Sequence, residues 1–143
     1  MTEPAEWRRP SLGVLLAAVA LIALAEVTGA SMVKFKPEIT RAARGLILAR
    51  PEVHGLVGVR DVDEQIIDQA LVKIDGGLRL FHLHGEGMGL VMIATAMVVS
   101  TLVGKEGPRR ALTALVAVGG FGYPFGYLLW SGLIPFYGVE RGK

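Results

Sequence analysis

Apolar and charged residues are segregated along this chain into three long apolar runs and the polar stretches that connect them. The run Leu12–Ser31 holds one charge in twenty residues, and Ala111–Tyr137 holds none in twenty-seven. Met88–Gly104 is also uncharged, and this run reaches spanning length if it begins near Leu80. Because a hydrocarbon core of about 30 Å requires about 20 apolar helical residues, the pattern predicts three transmembrane helices. Their predicted bounds are about 12–31, 80–104 and 111–137.

The polar stretch 32–79 contains two shorter segments with helical spacing of apolar residues. Pro37 and Pro51 frame the first, as expected for a proline at the first helical position and another beyond the helix end. Its apolar positions are Ile39, Ala42, Ala43, Leu46 and Ile47. The second runs over Asp61–Asp75 and is expected to stop at Gly76 and Gly77. Both predict amphipathic helices that lie on the membrane surface, on a partner, or on the spans of this chain.

The predicted fold class is therefore an all-α integral membrane protein, with one membrane domain over residues 1–143. Basic residues set its orientation: Arg8 and Arg9 precede the first span, and 105–110 carries three basic residues in six. Positively charged short segments favour the cytoplasmic side. The chain is expected in the cell inner (plasma) membrane, with a cytoplasmic N-terminus, an extracytoplasmic C-terminus and an extracytoplasmic loop at 32–79. Lys34 and Lys36, which lie in the 32–79 loop close to the first span, mildly favour the opposite orientation.

The amino-acid composition excludes several kinds of covalent and metal site. The chain is 52% hydrophobic and 20% charged, with a mean hydropathy of +0.48 and no cysteine. Without cysteine there are no disulfides, no thiolate metal sites and no covalent c-type haem. The net charge of +2 comes with basic residues that flank apolar runs, so they indicate topology and not nucleic-acid binding.

Enzyme signatures are missing from the sequence: it contains no G-x-S-x-G, P-loop or H-E-x-x-H motif. A chain of this kind is expected to act as a subunit of a larger membrane assembly, such as a membrane oxidoreductase. Its expected partners are the lipid bilayer and either other membrane subunits or further copies of itself.

The candidate functional residues are His82, His84 and Glu86, at the start of the second span, and Glu26 in the first span. Charged residues inside a membrane usually face protein or a water-filled cavity. On a helix, His82, Gly85, Glu86 and Gly89 form one stripe of polar and small residues. Glu26 lies five residues before the end of its span, at comparable depth. We therefore expect Glu26 to face His82 and Glu86.

The relation between His82 and His84 depends on the backbone. In a regular helix they lie about 200° apart and cannot bind the same ion. In an extended segment both imidazoles point to one side. They then form a two-histidine, one-carboxylate set with Glu86 or Glu26, which suits zinc, copper, iron or manganese.

Three functions compete for these residues. The first is ligation of a metal (Cu, Zn or Fe) or a haem b through His82 and His84, as a subunit of an electron-transfer complex. A bis-histidine haem would need a histidine from another chain. The second is a proton or quinone site that uses Glu26 and Glu86. The third is a structural or assembly subunit without a cofactor. His54 is expected to be a solvated loop residue, with a role as a further ligand as the alternative.

The third span has its own signals. A line of glycines, at 119, 122 and 126, predicts close packing with another helix. Pro124 predicts a kink near Tyr123, whose hydroxyl would bond to a freed backbone carbonyl. Trp7 and Trp130 are expected in the aromatic belts at the two membrane surfaces.

Overall fold

The computed structural model of the chain describes residues 9–141, with side chains described for 9–139. The regular structure of these residues is helical throughout. In chain order the helices are α1 Leu12–Lys34, α2 Lys36–Leu48, α3 Pro51–His54, α4 Arg60–Leu102 and α5 Glu106–Arg141. Three of the described helices, α1, α4 and α5, are long and apolar enough to span a membrane. The all-helical class is thereby confirmed. Trp7 and Arg8 lie outside the described residues.

Helix α4 is much longer than predicted. Its 43 residues give a length of about 64 Å at 1.5 Å per residue, twice the thickness of a hydrocarbon core. The predicted stop at Gly76 and Gly77 is wrong, and the segment 61–75 belongs to the same helix as the second span. Gly77 serves packing: a Cβ there would lie 2.6 Å from the Ser131 Cβ and 3.2 Å from the Tyr127 carbonyl oxygen. This glycine therefore lies within the helix, where it lets α5 approach closely.

The first half of α4 packs against α2 and the end of α5. The buried residues of this α2 cluster are Ala43, Ile47, Ile67, Ala70, Ile74 and Ile134. Helix α2 thus buries its apolar face against other helices of its own chain, one of the three arrangements that its amphipathic pattern allowed.

Polar contacts support the α2 cluster from outside. Arg44 donates to both carboxylate oxygens of Glu64, at 2.6 and 2.7 Å. This hydrogen bond lowers the pKa of Glu64 and raises the pKa of Arg44 relative to their ordinary values. The Asp63 carboxylate accepts the backbone N–H groups of Val57 and Gly58, at 2.8 and 3.0 Å. These contacts fix the turn that precedes α4.

The second half of α4 packs against α1. The buried residues of this α1 cluster are Val14, Ala18, Leu21, Met92 and Ala96, with Phe121 and Phe125 of α5 packed beside them. Early residues of α1 meet late residues of α4, so the two helices run antiparallel. His82, His84 and Glu86 lie on the stretch of α4 between the two clusters.

The backbone break in α5 lies at a different place from the one predicted. The helix passes through Pro124, and the non-helical dihedral angles fall at Gly138, with φ 76° and ψ 169°. Gly138 adopts a left-handed φ that other residues avoid, and a Cβ there would lie 2.8 Å from the Val53 carbonyl oxygen. The turn at Gly138, and not the proline, therefore allows the end of α5 to meet α3.

Candidate functional site

His82 and His84 lie on a continuous helix, which begins at Arg60, more than five turns before them. The extended arrangement that would bring both imidazoles to one ion is therefore not adopted. Successive helical residues turn by about 100°, so the two side chains leave α4 in different directions. His82 contacts α1, whereas His84 contacts α5.

The His82 ring is held between α1 and α4. Its Nδ1 lies 2.9 Å from the Ala25 carbonyl oxygen and 3.1 Å from Glu86 Oε1. A carbonyl oxygen can only accept, so the Nδ1–H of His82 donates to it. Gly29 of α1 provides the space for the ring, because a Cβ at this position would lie 2.6 Å from His82 Cε1. His82 is thus oriented by the Ala25 carbonyl and accommodated by the gap at Gly29, both of which belong to α1.

Glu26 does not join this pair. At Gly85 the α1 residue that meets the stripe is Ala25, whose Cβ would lie 2.7 Å from a Cβ at Gly85. Glu26, one residue and about 100° further round the helix, is exposed. Among the described residues it makes no ion pair or hydrogen bond. The expected contact of Glu26 with His82 and Glu86 is therefore not formed.

His84 lies against two tyrosines of α5. Its Nδ1–H donates to the Leu80 carbonyl oxygen at 2.8 Å. Its ring centroid lies 5.3 Å from that of Tyr123 and 4.9 Å from that of Tyr127. The two tyrosine hydroxyls are 3.1 Å apart. The Tyr123 hydroxyl therefore bonds with Tyr127, and not with a carbonyl freed by Pro124.

A shallow groove runs beside this aromatic group on the outer surface of α4 and α5. It has a volume of about 550 Å³ and is lined by Leu80, Tyr123, Gly126, Tyr127 and Trp130. Tyr123 and Tyr127 flank both this groove and the His84 ring. His84 thus stands next to an apolar, aromatic surface of the size of a ligand site.

Both imidazoles share one chemical feature. In each ring Nδ1 is bonded to a backbone carbonyl, while Nε2 has no hydrogen-bond partner among the described residues. In the neutral ring Nε2 then carries the lone pair. Histidines that ligate metals are usually oriented in this way, with the other ring nitrogen donating to a carbonyl or carboxylate. Each histidine therefore offers one nitrogen for coordination or proton transfer.

A full set of metal ligands is not assembled within the described part of the chain. No group of three or more His, Cys, Asp or Glu side chains there is placed to hold one metal ion. The predicted set of His82, His84, Glu86 and Glu26 is separated by the helix geometry into the His82–Glu86 pair, the isolated His84 and the exposed Glu26.

The small residues beside His82 have the predicted role. Gly85 and Gly89 face α1, and a Cβ at Gly89 would lie 3.1 Å from the Ala18 carbonyl oxygen and still closer to Ile22. The glycine line of α5 behaves differently. A Cβ added at residue 119, 122 or 126 would meet no atom within 4 Å, and Gly120 is the glycine that meets Met92.

His54 is half-buried rather than solvated. Its Nε2–H donates to the Pro135 carbonyl oxygen at 3.2 Å. It lines a cavity of about 640 Å³ together with Glu52 and Lys73. This cavity is separate from both histidines of α4, so His54 does not act with them as a ligand.

The pairing of His84 with the tyrosines was not anticipated from the sequence. The i, i+4 spacing of Tyr123 and Tyr127 indicated a shared face, but nothing in one sequence showed which helix that face meets. Comparison with protein-family models, curated proteins and solved structures gives no match for this chain. Its function is therefore argued from the residues themselves.

Proposed function

We propose that this chain is an integral membrane protein that spans the inner membrane of the cell with α1, α4 and α5. The support is compositional: large apolar side chains cover the outside of the bundle, with Leu16, Leu90 and Leu115 at least 60% exposed. Water would not solvate such a surface well, whereas lipid would. Arg9 and the basic 105–110 connection lie at the same end of the bundle. The positive-inside rule then favours a cytoplasmic N-terminus and an extracytoplasmic C-terminus.

Within that membrane, we propose that the chain is a small subunit of an electron-transfer assembly and ligates a haem or a transition metal through His84. One observation carries this proposal. The His84 ring is fixed through Nδ1 by the Leu80 carbonyl, its Nε2 is unpartnered, and the ring contacts the two tyrosines that line an aromatic groove. His82 also has an unpartnered Nε2, but its ring is paired with Glu86, and the groove that it lines contains Lys36, Asp75 and Arg79 instead of aromatic rings.

The class of ligand follows from the donors. A single imidazole supplies one axial position to a haem iron, or one ligand to copper, zinc or iron. Because no group of three or more possible ligands is placed for one metal ion among the described residues, the remaining coordination has to come from another subunit or a second copy of this chain. The apolar surface formed by Tyr123, Tyr127 and Trp130 suits the flat face of a porphyrin. Haem b fits better than haem c, since the chain has no cysteine.

The experiment is isolation of the tagged full-length chain from its native membranes under mild detergent, followed by an absorption spectrum and metal analysis. We expect a haem Soret band or a stoichiometric transition metal. The His84→Ala variant should lose it, while Tyr123→Phe, which keeps the ring, should retain it. Wild-type preparations with neither haem nor metal would overturn the ligand proposal and leave a structural role.

A second candidate function rests on the His82–Glu86 pair. An imidazole and a carboxylate 3.1 Å apart can exchange a proton, and such groups inside a membrane mark proton paths or quinone headgroup sites. Here Glu86→Gln should lower the turnover of the assembly while its cofactor content stays unchanged. Unchanged turnover in Glu86→Gln would exclude this function.

A further inference from the structure

A cleft with three arginines lies at the end of the bundle where α1 and α5 begin and α4 ends. Its volume is about 340 Å³. The polar side chains that line it are Arg9, Ser11, Ser100, Arg109, Arg110 and Thr113. No acidic side chain lines it within the described part of the chain. The cleft shares no residue with the α2 cluster or with the histidine sites.

The three arginines are not equally neutralised. Arg110 donates to Glu106 at 2.5 Å, in a pair that is largely exposed. Arg9 and Arg109 have no ion pair among the described residues. The cleft therefore keeps an excess of positive charge, which attracts an anion.

Arg109 gives the clearest sign of a missing partner. Its Nη1 is buried and has no hydrogen-bond acceptor in the described structure. A buried guanidinium N–H without an acceptor is costly, because the group loses its water and gains nothing in exchange. The hydroxyls of Thr113 and Ser100 donate to backbone carbonyls, and neither accepts from Arg109 Nη1. Arg109 also lines the cleft, and an oxygen-rich anion bound there would supply an acceptor once the guanidinium turns toward it.

Other donors converge on the same place. Helix α1 begins at Leu12, and the Ser11 side chain makes no capping hydrogen bond. The N–H groups of Val14 and Leu15 bond to the Ser11 carbonyl. Those of Leu12 and Gly13 are left at the start of this 23-residue helix, where they favour a negatively charged group. Guanidinium groups bind phosphate oxygens with matching geometry.

We propose that this cleft binds the phosphate of an anionic phospholipid. A lipid fits better than free phosphate because Val14 and Ala114 line the cleft, and Leu12, Leu112 and Leu115 present exposed apolar surface on the same two helix starts, where acyl chains can lie. Basic pockets between helices at the cytoplasmic side of a membrane bind lipid headgroups in this way. This inference rests on the proposed membrane placement but not on the proposed role of His84.

The test uses the purified full-length chain, delipidated in a neutral detergent and titrated with phosphatidylglycerol, phosphatidylcholine or inorganic phosphate. Bound lipid is counted by native mass spectrometry, and the thermal midpoint is recorded in parallel. We expect phosphatidylglycerol to bind more tightly than phosphatidylcholine. Arg109→Gln should weaken phosphatidylglycerol binding about fivefold, the effect of about 1 kcal/mol per basic residue near a lipid surface.

Arg41→Gln is the matched control, because it removes the same charge from an exposed position on α2 and should bind like the wild type. Arg9→Gln tests the same cleft through an exposed residue, in case Arg109→Gln does not fold. Equal binding of both lipids by the wild type, or equal binding by the Arg9, Arg109 and Arg41 variants, would overturn the proposal. Protection by inorganic phosphate equal to that by phosphatidylglycerol would assign the cleft to a soluble anion instead. Failure of the chain to partition into membranes would overturn the placement itself.

Discussion

The two sides of α4 at the level of the histidines are built in different ways. The side that faces α1 carries small residues, and Gly85 and Gly89 bring the two backbones into close contact. The side that faces α5 carries rings, with Phe81 packed edge to face on Phe125 and His84 beside two tyrosines. His82 lines a groove of about 410 Å³ whose other members include charged side chains, whereas His84 contacts two tyrosines that line an aromatic groove. One short H-x-H segment therefore yields two histidines in different surroundings.

The largest expected loss of stability comes from placing a large side chain between α4 and α1. Gly89→Leu forces a side chain against Ile22 and the Ala18 backbone. Overpacking of this kind destabilises by about 3 kcal/mol, measured as the free energy of unfolding in detergent. Gly122→Leu is the control, because a Cβ there would meet no atom within 4 Å, and its stability should match the wild type.

The Gly122 variant also tests whether the exposed glycine line of α5, at 119, 122 and 126, binds other subunits. A stable Gly122→Leu chain that no longer copurifies with other subunits would support an assembly role for that face. Equal loss of stability in the Gly89 and Gly122 variants would contradict the described packing of α1 on α4.

A smaller effect is expected at the His82–Glu86 pair. Glu86→Gln removes the carboxylate that His82 approaches at 3.1 Å, on a side chain that is 34% exposed. Partly exposed ion pairs contribute below about 1 kcal/mol, so thermal denaturation should show a small decrease in stability. Glu26→Gln, at an exposed and unpaired position, should show none. A larger loss for Glu26→Gln would mean that Glu26 faces the pair after all.

On the α5 side, Tyr127→Phe removes one hydroxyl and keeps the ring next to His84. The lost hydrogen bond to Tyr123 should cost about 0.5–1 kcal/mol in unfolding free energy. Any group bound to His84 should be retained. Tyr127→Ala also removes the ring contact and is expected to destabilise more. Equal effects of the two substitutions would show that the ring contact contributes nothing.

The smallest effect on stability is expected away from the histidines, at the Arg44–Glu64 pair. The folded chain lowers the pKa of Glu64 through its hydrogen bond with Arg44. Its contribution to stability is therefore present above the ordinary carboxyl pKa of 4.5 and is lost as the pH falls through the lowered value. The thermal midpoint of wild type should exceed that of Glu64→Gln slightly at pH 7, and the difference should vanish in acid. A difference that grows in acid would contradict the pairing.

The sequence was sufficient for elements with long periodic signals. The three spanning-length helices and α2 follow from apolar runs and from a 3.6-residue pattern, which a single sequence displays directly. The length of α4 was underestimated because Gly76 and Gly77 resemble a stop signal. Whether a glycine ends a helix or admits a neighbour depends on the neighbour, in this case Ser131 of α5.

The candidate site was predictable only in part. The stripe of His82, Gly85 and Gly89 followed from helical spacing, and so did its contact with a close-packed helix. The rotation of α1 was not predictable, and a difference of one residue places Ala25 in the contact and leaves Glu26 exposed. The tyrosine partners of His84 depend on the register between α4 and α5, which one sequence does not contain.

The most direct test of the central claim compares His84→Ala with His82→Ala in the assembly isolated from native membranes. The absorption spectrum and the metal content per chain are measured for both variants and for the wild type. We expect His84→Ala to abolish the bound haem or metal and His82→Ala to retain it. Loss in His82→Ala with retention in His84→Ala would overturn the proposed role of His84, because the ligand would then come from the side of α4 that faces α1.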